Sequence, residues 1–244
     1  MKKFKCLIIT VIIVFSLITV TVVYASYTTY KPNNIILMYH SVNPIPDNEY
    51  IDLYVSPADL ENQFKLIADN SVNTGFITDV NTGNNTIYIT FDDGYEDNYI
   101  YAFPLMQKYN VKATIFMITD LIGEKDYLNE AQIKEMTASG LVSVQCHTAN
   151  HEDLTSLDEE NLYRELAESK EKLESITNQP VTAISYPYGK YNNTVIAAAS
   201  QLFTTGVSTK GPNLFADNNN ILTLPRYGIP NSYDIAAYSA LIQY

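Results

Sequence analysis

The stretch TIYITFDDGYEDN, residues 86–98, runs from an apolar segment into two adjacent carboxylates and a glycine. The apolar segment 87–91 predicts a buried strand, and Asp92 and Asp93 stand at its end. Asp-Gly is a common turn dipeptide, so one interpretation is an ordinary turn. Two neighbouring carboxylates at the end of a buried strand resist joint ionisation. The second interpretation is therefore a catalytic strand end, where one carboxylate holds a cation and the other handles a proton.

Apolar runs and helical patterns alternate along the rest of the chain. Strands are predicted at 34–40, 86–91, 112–119, 141–147 and 181–189, with short ones near 203–207 and 221–225. Helices are predicted at 56–70, 98–110 with an interruption at Pro104, 129–140, 156–178 with a capping box that begins at Ser156, 192–201 and 232–242. Such alternation implies parallel βαβ units. About seven of them in one domain favour an α/β barrel over an open sheet.

Composition and charge limit the partners that this chain can bind. Hydrophobic residues make up 46% of the sequence and charged residues 17%, which is ordinary for a globular protein. The net charge is −12 and Lys and Arg do not cluster, so a nucleic-acid partner is excluded, because phosphate binding requires a basic surface. A neutral or cationic polymer is compatible with this charge.

Residues 1–25 have the pattern of a targeting segment. Lys2, Lys3 and Lys5 precede an uncharged run at 6–25, which is roughly long enough to cross a bilayer as a helix. The segment is either a signal peptide or an N-terminal membrane anchor, and its length favours the anchor. Both interpretations predict an exported protein, with the cell membrane as a partner where the segment stays uncleaved. Residues 26–34 are polar and are predicted to be a linker.

Polar residues gather just after the predicted strands, and three of them suit a metal ion. Parallel strands bring their carboxyl ends to one edge, where active sites form. His147 and His151 in HTANH are spaced to face one ligand, and two imidazoles with one carboxylate suit zinc, cobalt or nickel. We predict one divalent ion, zinc first, held by Asp93, His147 and His151. The opposing interpretation is a strand-end histidine and a surface histidine.

Asp92 and His40 complete the predicted chemistry. With Asp93 on the metal, Asp92 is available as the base for a water molecule. His40 follows the first predicted strand and supplies the acid that a leaving group requires. The alternative for His40 is a strand-end histidine that is hydrogen-bonded to the backbone.

Three motifs in this order resemble a known family. TFDDG, HTANH and SYPYG are similar to the first three motifs of the polysaccharide deacetylases, also called the NodB-homology domain or carbohydrate esterase family 4. The resemblance implies a distorted (β/α)7 barrel, over a domain at 35–244, that removes acetyl groups from N-acetylated sugars with a metal ion. It also implies Asp92 as base, Asp93, His147 and His151 as metal ligands, and the backbone amide of Tyr188 as oxyanion donor.

The sequence departs from the usual family pattern at two places. Ser185 stands where the third motif usually has an arginine, and no histidine follows His151 to serve as the late acid. These departures, with ILMYHSV and LPRYGI, resemble the poly-β-1,6-N-acetylglucosamine deacetylase branch. That resemblance implies that His40 replaces the late histidine as acid. It also implies that Arg226 replaces the missing arginine in orienting Asp92.

Aromatic residues near the strand ends are candidates for sugar binding. Tyrosine rings stack on sugars, and their hydroxyls form hydrogen bonds. The predicted substrate-binding residues are Tyr39, Tyr186, Pro187 and Tyr227, with Tyr95 and the ring of Tyr188 as further candidates. The opposing interpretation is that each of these side chains simply packs in the fold.

The expected function is that of an exported, metal-dependent N-deacetylase that acts outside a bacterial cell on the poly-β-1,6-N-acetylglucosamine of a biofilm matrix. Three alternatives stay open. The same chemistry can act on β-1,4 chains such as peptidoglycan or chitin. The scaffold can bind a polysaccharide without turnover. A phosphatase with a nucleophilic aspartate is the third, but it leaves HTANH unexplained. The sequence leaves the oligomeric state open.

Overall fold

The observed strands follow the apolar runs of the sequence. The computed structural model describes residues 34–44, 51–80, 86–209 and 221–242, which all fall in one compact unit. The predicted leader at 1–25 and the linker up to residue 33 lie outside the described residues. Asn34, which was assigned both to the end of the linker and to the start of the first strand, begins that strand. Within the described ranges, no helix combines the length and apolarity needed to span a membrane.

The main sheet is parallel throughout. The described residues form strands β1 (Asn34–Tyr39), β2 (Ser41–Val42), β3 (Tyr54–Val55), β4 (Asn73–Thr74), β5 (Thr86–Phe91), β6 (Ala113–Met117), β7 (Val142–Cys146), β8 (Ala183–Ser185), β9 (Thr205–Val207) and β10 (Tyr227–Gly228). Seven strands lie side by side in the order β10-β1-β5-β6-β7-β8-β9, and every neighbouring pair is parallel. Strand β4 pairs with β5, while β2 and β3 form a separate pair. Parallel pairing places the carboxyl ends of the strands at one end of the sheet.

The segment 224–229, which contains β10, pairs with β9 on one side and with β1 on the other. Leu224 donates its N–H to Gly206 and accepts from Ser208, at 2.8 and 2.9 Å, so it pairs with β9. Strand β10 follows at once and pairs with β1, and the N–H of Ile229 donates to Met38 at 3.0 Å. The sheet therefore curls into a barrel, and the predicted distorted (β/α)7 barrel is confirmed.

Side chains alternate between the two faces of the strands and form two separate apolar clusters. One cluster lies inside the barrel and consists of Ile36, Ile77, Val80, Tyr88, Phe116, Ala183, Val207 and Leu224. The neighbouring strand residues, such as Ile35, Leu37, Ile87 and Ile89, belong to the larger cluster that packs against the helices. Both faces are thus buried, which explains why the strands read as continuous apolar runs.

The helices begin at residues that cap their first turn. They are α1 (Pro57–Asp69), α2 (Phe103–Tyr109), α3 (Glu130–Ala138), α4 (Glu159–Thr177), α5 (Asn193–Ala199) and α6 (Ile235–Ile242). Ser56 caps α1 by accepting from the N–H of Asp59, and Pro57 occupies the first helical position, as the sequence predicts. Asn129 and Gln132 form a capping box at the start of α3.

The predicted helix at 98–110 consists of two kinds of helix. Residues Asn98–Ala102 form a π-helix, and α2 follows it directly. Pro104 lies in the first turn of α2, where a proline fits the backbone geometry. The predicted interruption therefore marks the junction between the two.

Two local predictions are wrong. The capping box that was predicted to begin at Ser156 is absent, because Ser156 ends a 3-10 turn and Asp158 caps α4 by accepting from Asn161. The strand predicted at 221–225 is a 3-10 helix over Ile221–Thr223, followed by a single bridge between Leu224 and Val207. A short apolar run is compatible with either structure, so periodicity alone does not separate them.

Candidate active site

Asp92 points into the barrel from the end of β5 and forms a two-point ion pair with Arg226. Nη1 of Arg226 donates to Oδ1 of Asp92 at 2.7 Å, and Nη2 donates to Oδ2 at 2.6 Å. The hydroxyl of Ser185 donates to Oδ2 at 3.1 Å and accepts from Nη2 at 2.9 Å. Both carboxylate oxygens are therefore held, and the plane of the carboxylate is fixed.

Arg226 is among the largest fully buried side chains in the described part of the chain, with 1% of its surface exposed. Its remaining donors reach the carbonyl of Ser208 at 3.1 Å and the hydroxyl of Thr90 at 3.0 Å. Burial raises the pKa of Asp92, but the charge of Arg226, with a contribution from His147, outweighs burial and holds that pKa well below its usual range. Asp92 is therefore ionised at neutral pH.

Asp93, His147 and His151 converge at the same end of the barrel. One potential ligand atom from each lies within 4.8 Å of the other two. The Nε2 atoms of His147 and His151 lie 3.4 and 3.7 Å from Oδ1 of Asp93. Two ligand atoms about 2.1 Å from one zinc ion in a tetrahedral arrangement lie roughly 3.4 Å apart. The spacing and the donor types therefore fit a divalent metal ion.

His147 presents one ring nitrogen to this cluster. Its Nδ1 donates to the carbonyl oxygen of Ser185 at 2.7 Å, so Nε2 is the ring nitrogen that faces Asp93, at 3.4 Å from its Oδ1. A second hydrogen bond of this kind fixes the ring and the tautomer of a metal-binding histidine. This orientation leaves Nε2 as the nitrogen that could bind a metal ion.

Four of the eight non-glycine residues with a positive φ in the described part of the chain lie in the motifs that build the site. Asp93, Thr148, His151 and Tyr188 have φ angles of 70°, 66°, 65° and 57°, in a region that side chains other than glycine rarely adopt. The hydroxyl of Thr148 accepts from the N–H of His151 at 3.0 Å and so supports the turn between the two histidines. Strained residues of this kind cluster at functional sites.

His40 is partly buried at the end of β1 and lies within electrostatic reach of the same groups. Its imidazole interacts with Asp92, Asp93, Arg226 and His147. Burial lowers the pKa of His40, although the two aspartates oppose the shift. The charge of the predicted base thus acts on the predicted acid.

Three cavities adjoin these residues and share lining side chains. A cavity of ≈ 300 Å³ reaches Asp93 and His151, and one of ≈ 370 Å³ reaches His40; both are lined by Leu53. A third, of ≈ 450 Å³, shares Ser41, Tyr54, Tyr95 and Tyr127 with the first. We call these three adjoining cavities, which border His40, Asp93 and His151, the aromatic trough.

Sequence comparison agrees with this geometry. The family model described as polysaccharide deacetylase matches residues 79–207, just over half of the chain. The chain belongs to the polysaccharide deacetylase family. YxkH of Bacillus subtilis (strain 168), whose name assigns it to the polysaccharide deacetylases, is 35% identical over 225 residues, or 88% of this chain and 78% of the relative.

Two further relatives of this polysaccharide deacetylase extend the comparison. The poly-β-1,6-N-acetyl-D-glucosamine N-deacetylase of Staphylococcus aureus (strain MSSA476) is 31% identical over 121 residues, which cover 44% of this chain and 42% of that protein. The match thus spans less than half of that relative. The solved structure of the Streptococcus pyogenes deacetylase PplD in complex with acetate superposes with a TM-score of 0.80 at 29% identity, covering 88% of this chain and 100% of that chain.

Several tyrosines that were predicted to contact substrate are buried in this polysaccharide deacetylase. Tyr39 is 1% exposed, and its hydroxyl donates to Gln63 at 2.9 Å. Tyr186 is fully buried, and Pro187 is buried beside it. The prediction of substrate contact is therefore wrong for these three side chains. Tyr39 and Tyr186 directly neighbour His40 and Ser185, so strand alternation turns them toward the helices.

The other predicted residues lie at or near the surface. Tyr227 is half-buried and packs against the hydrophobic core, so its contact with substrate stays a prediction. Tyr188 is 59% exposed and its ring meets that of His151 at 4.6 Å between centroids. The role of its backbone amide as oxyanion donor stays a prediction. Tyr95 stacks on Tyr127 in the aromatic trough and hydrogen-bonds to Asp93.

One residue that supports the metal-binding loop was missed in the sequence. Glu165 on α4 is buried, and its Oε2 accepts from the N–H groups of Ala149 and Asn150 at 3.1 Å each. These bonds hold the backbone between His147 and His151. Glu165 lies on the apolar stripe of α4 next to Leu162 and Leu166. A charged residue on an apolar stripe was the available signal, because buried charges require a partner.

Proposed function

We propose that this chain is an exported, metal-dependent N-deacetylase of poly-β-1,6-N-acetyl-D-glucosamine. The observation that carries the proposal is the triad Asp93, His147 and His151 beside an Asp92 that Arg226 keeps ionised. A divalent ion on this triad, zinc by its donor set with cobalt and nickel as alternatives, supplies a Lewis acid for the acetyl carbonyl and for water.

The side chains of this chain divide the proton transfers between them. Asp92 accepts a proton from the water whose oxygen bonds to the acetyl carbon. His40 gives a proton to the sugar nitrogen as the carbon–nitrogen bond breaks, and the electron pair of that bond stays on nitrogen. The products are acetate and a free amine. The backbone amide of Tyr188 is proposed to stabilise the negative charge on the carbonyl oxygen.

The choice of a polymeric substrate rests on shape, charge and similarity. The aromatic trough consists of three adjoining cavities. Tyr54, Tyr95 and Tyr127 line two of them, which suits stacked sugar rings. A net charge of −12 suits a polymer that becomes cationic as it loses acetyl groups. The Staphylococcus aureus relative named for the β-1,6 polymer supports the linkage.

The proposed location is the outside of a bacterial cell. The three lysines and the uncharged run within residues 1–25 support export, either as a cleaved signal peptide or as a membrane anchor. The biofilm matrix is the proposed site of action, because the proposed substrate is an exopolysaccharide.

The test is release of free amines from β-1,6-linked and β-1,4-linked N-acetylglucosamine oligomers by the purified full chain. Activity is measured after chelation and after return of zinc, cobalt or nickel. We expect metal-dependent release from the β-1,6 oligomers, and its loss in Asp92→Asn. The matched control is Asp69→Asn, which alters an exposed carboxylate at the end of α1 and leaves release unchanged.

Each alternative has its own result in this test. Faster release from β-1,4 oligomers replaces the proposed substrate with a chain of the peptidoglycan or chitin type. Release that survives chelation contradicts metal dependence. Oligomer binding by folded protein without any release, under every metal tested, replaces the enzyme with a binding protein.

A further inference from the structure

The π-helix that follows the catalytic aspartates packs against the end of β1. Asn98 is its first residue and is fully buried. Its Nδ2 donates to the carbonyl oxygen of His40 at 2.9 Å and to Oδ1 of Asp97 at 2.8 Å. One amide group therefore connects the backbone of His40 to the carboxylate of Asp97.

Asp97 extends this connection to the next two residues of the chain. The hydroxyl of Ser41 donates to Oδ2 of Asp97, and the backbone N–H of Val42 donates to the same carboxylate. Three consecutive residues, 40 to 42, are thus held by two consecutive residues, 97 and 98. We call Asp97 and Asn98 with these bonds the π-helix clamp.

The clamp carries features that stability alone does not explain. A π-helix is rare, and π-helical turns are found frequently at functional sites. Oδ1 of Asn98 is buried and has no hydrogen-bond partner among the described residues, which costs free energy. An arrangement that retains such a cost next to an active site indicates a functional constraint.

The position of His40 is what the clamp determines. His40 lies between β1 and the short strand β2, so its backbone leaves the ladder of the main sheet at this residue. His40 lines one cavity of the aromatic trough, and the charges of Asp92 and Asp93 act on its imidazole. The hydrogen bond from Asn98 to its carbonyl oxygen fixes the peptide plane that follows His40. A shift of about 1 Å in a catalytic group is enough to cost roughly a hundredfold in rate.

We propose that Asn98 and Asp97 are positioning residues that orient His40 for proton transfer to the leaving amine. The inference rests on the proposed function. In the step concerned, the carbon–nitrogen bond breaks, its electron pair stays on nitrogen, and the proton of the His40 imidazolium forms the new N–H bond. Acetate keeps the oxygen that came from water, and the imidazole is left neutral.

A change of leaving group distinguishes a residue that positions the acid from a residue that only stabilises the fold. An amine leaves an amide only when its nitrogen is protonated. The 4-nitrophenolate of 4-nitrophenyl acetate leaves without a proton, while the other steps at the acetyl group are shared. The ratio of amide to ester hydrolysis therefore reports on the acid alone, and it is independent of the fraction of protein that is folded.

The experiment measures kcat and KM of the metal-loaded full chain for a β-1,6 N-acetylglucosamine oligomer and for 4-nitrophenyl acetate. The variants are Asn98→Ala and the isosteric Asn98→Asp, which lacks the donor to His40, with His40→Ala as reference. We expect kcat for the oligomer to fall about tenfold to hundredfold in both Asn98 variants. The ester kcat and the oligomer KM are expected to stay within about twofold, because a substrate whose leaving group needs no proton does not use the acid.

Gln145→Ala is the matched control. Gln145 is also a buried amide, and its Oε1 accepts from the backbone of Thr182 and Ala183 at 2.9 Å each. Its loss is expected to lower the melting temperature without changing the amide-to-ester ratio.

Two outcomes overturn the inference in different ways. Equal loss of amide and ester hydrolysis in the Asn98 variants, or no loss of either, shows that the clamp does not act through His40. Ester hydrolysis by the wild-type chain without any amine release overturns the proposed function itself, and the inference falls with it.

Discussion

Arg226 makes five hydrogen bonds inside the barrel, and two of them go to the carboxylate of Asp92. A buried carboxylate without a partner is strongly destabilising, because both its charge and its acceptor sites are left uncompensated. The two-point contact also fixes the orientation of the Asp92 carboxylate, which is the proposed base. Arg226 is therefore expected to influence stability and activity together.

Replacement of Arg226 by methionine tests this coupling. Arg226→Met should lower the free energy of unfolding by about 3–5 kcal/mol, since it leaves Asp92 buried and unpaired. Deacetylation should fall with it. Urea unfolding and amine release are the measurements, and Arg164→Met, on the exposed face of α4, is the control, with a change within about 0.5 kcal/mol. Wild-type activity in a folded Arg226→Met protein contradicts the orienting role.

The same pair predicts a dependence of stability on pH. The folded-state pKa of Asp92 is lowered, chiefly because Arg226 outweighs the effect of burial, so its stabilising contribution is full above the unfolded value of about 3.9. That contribution is lost as the pH falls through the folded-state pKa. In Arg226→Met the largest effect that opposes burial is lost, so the pKa of Asp92 is higher than in the wild type. The carboxylate then protonates at a higher pH, which relieves the cost of burying an unpaired charge.

The difference in unfolding free energy between wild type and Arg226→Met is therefore largest at neutral pH and narrows as the pH falls. Urea unfolding of both proteins without metal, from about pH 7 to pH 3, follows the shift of the Asp92 pKa between the two. A difference that stays constant over this range assigns the loss of stability to packing instead of charge.

At the level of single residues, the sequence predicted side chains whose chemistry suits the site. It did not predict which of two adjacent strand residues faces the barrel interior. His40, Asp92 and Ser185 face the barrel interior, as alternation on parallel strands requires. Tyr39 and Tyr186 were predicted beside them, although adjacent residues of a strand point to opposite faces. The pairing of Arg226 with Asp92 was expected from resemblance alone, since no local pattern connects positions so far apart in sequence.

The turn between β5 and the π-helix requires a glycine. Gly94 has a φ of +81°, and a Cβ atom there would lie 2.0 Å from the sulfur of Met117. Gly123 has a similar φ of +85° but nothing within 4 Å of the same position. Substitution at Gly123 therefore measures the free-energy cost of a side chain at positive φ alone. Substitution at Gly94 adds the cost of a steric clash with Met117.

Alanine at these two positions should have different effects. Gly123→Ala should cost roughly 1–2 kcal/mol, because it adds a side chain to a left-handed residue. Gly94→Ala should cost about 1–3 kcal/mol more, because Met117 must also move. Thermal and urea unfolding measure both variants. Equal losses would show that the core around Met117 yields to an additional methyl group without strain.

Element-level prediction depended on the length of each pattern. The helices at 56–70, 129–140 and 192–201 were found within a few residues of their predicted bounds, because each has a cap and an apolar stripe. The start of α4 was misplaced, since Ser156 and Asp158 are both good caps and sequence does not rank them. The π-helix was read as ordinary helix, because both types present similar apolar spacing.

The assembled metal triad gives a prediction for the whole molecule. A ligand that binds the folded state alone stabilises it by about 2.7 kcal/mol at a hundredfold excess over its dissociation constant. Zinc should therefore raise the melting temperature in a concentration-dependent way, and a chelator should reverse the shift. His151→Ala removes one of the three ligands and should abolish most of it. A zinc-induced shift of equal size in His151→Ala places the ion elsewhere.

The barrel as a whole was predictable because strands alternate with helices, and the triad was predictable because parallel strands end at one edge. The position of the segment that closes the barrel could not be predicted from the sequence. Strand β10 has two residues, and such a short strand carries no period that sequence analysis can detect. Its place is determined by pairing with β1 and by the burial of Arg226.

The closing segment 224–229 can complete the barrel only late in folding, because it lies near the carboxyl end of the chain. As the chain emerges from its amino end during synthesis, β1 and β9 keep open edges until this late segment docks between them, and open edges favour aggregation. The contact between Arg226 and Asp92 spans 134 positions in sequence, and contacts of such high order form slowly. Arg226, which pairs with the proposed base, is thus placed only when the last segment of the barrel docks. A chain that stops before closure is therefore expected to be prone to aggregation and to lack an oriented Asp92.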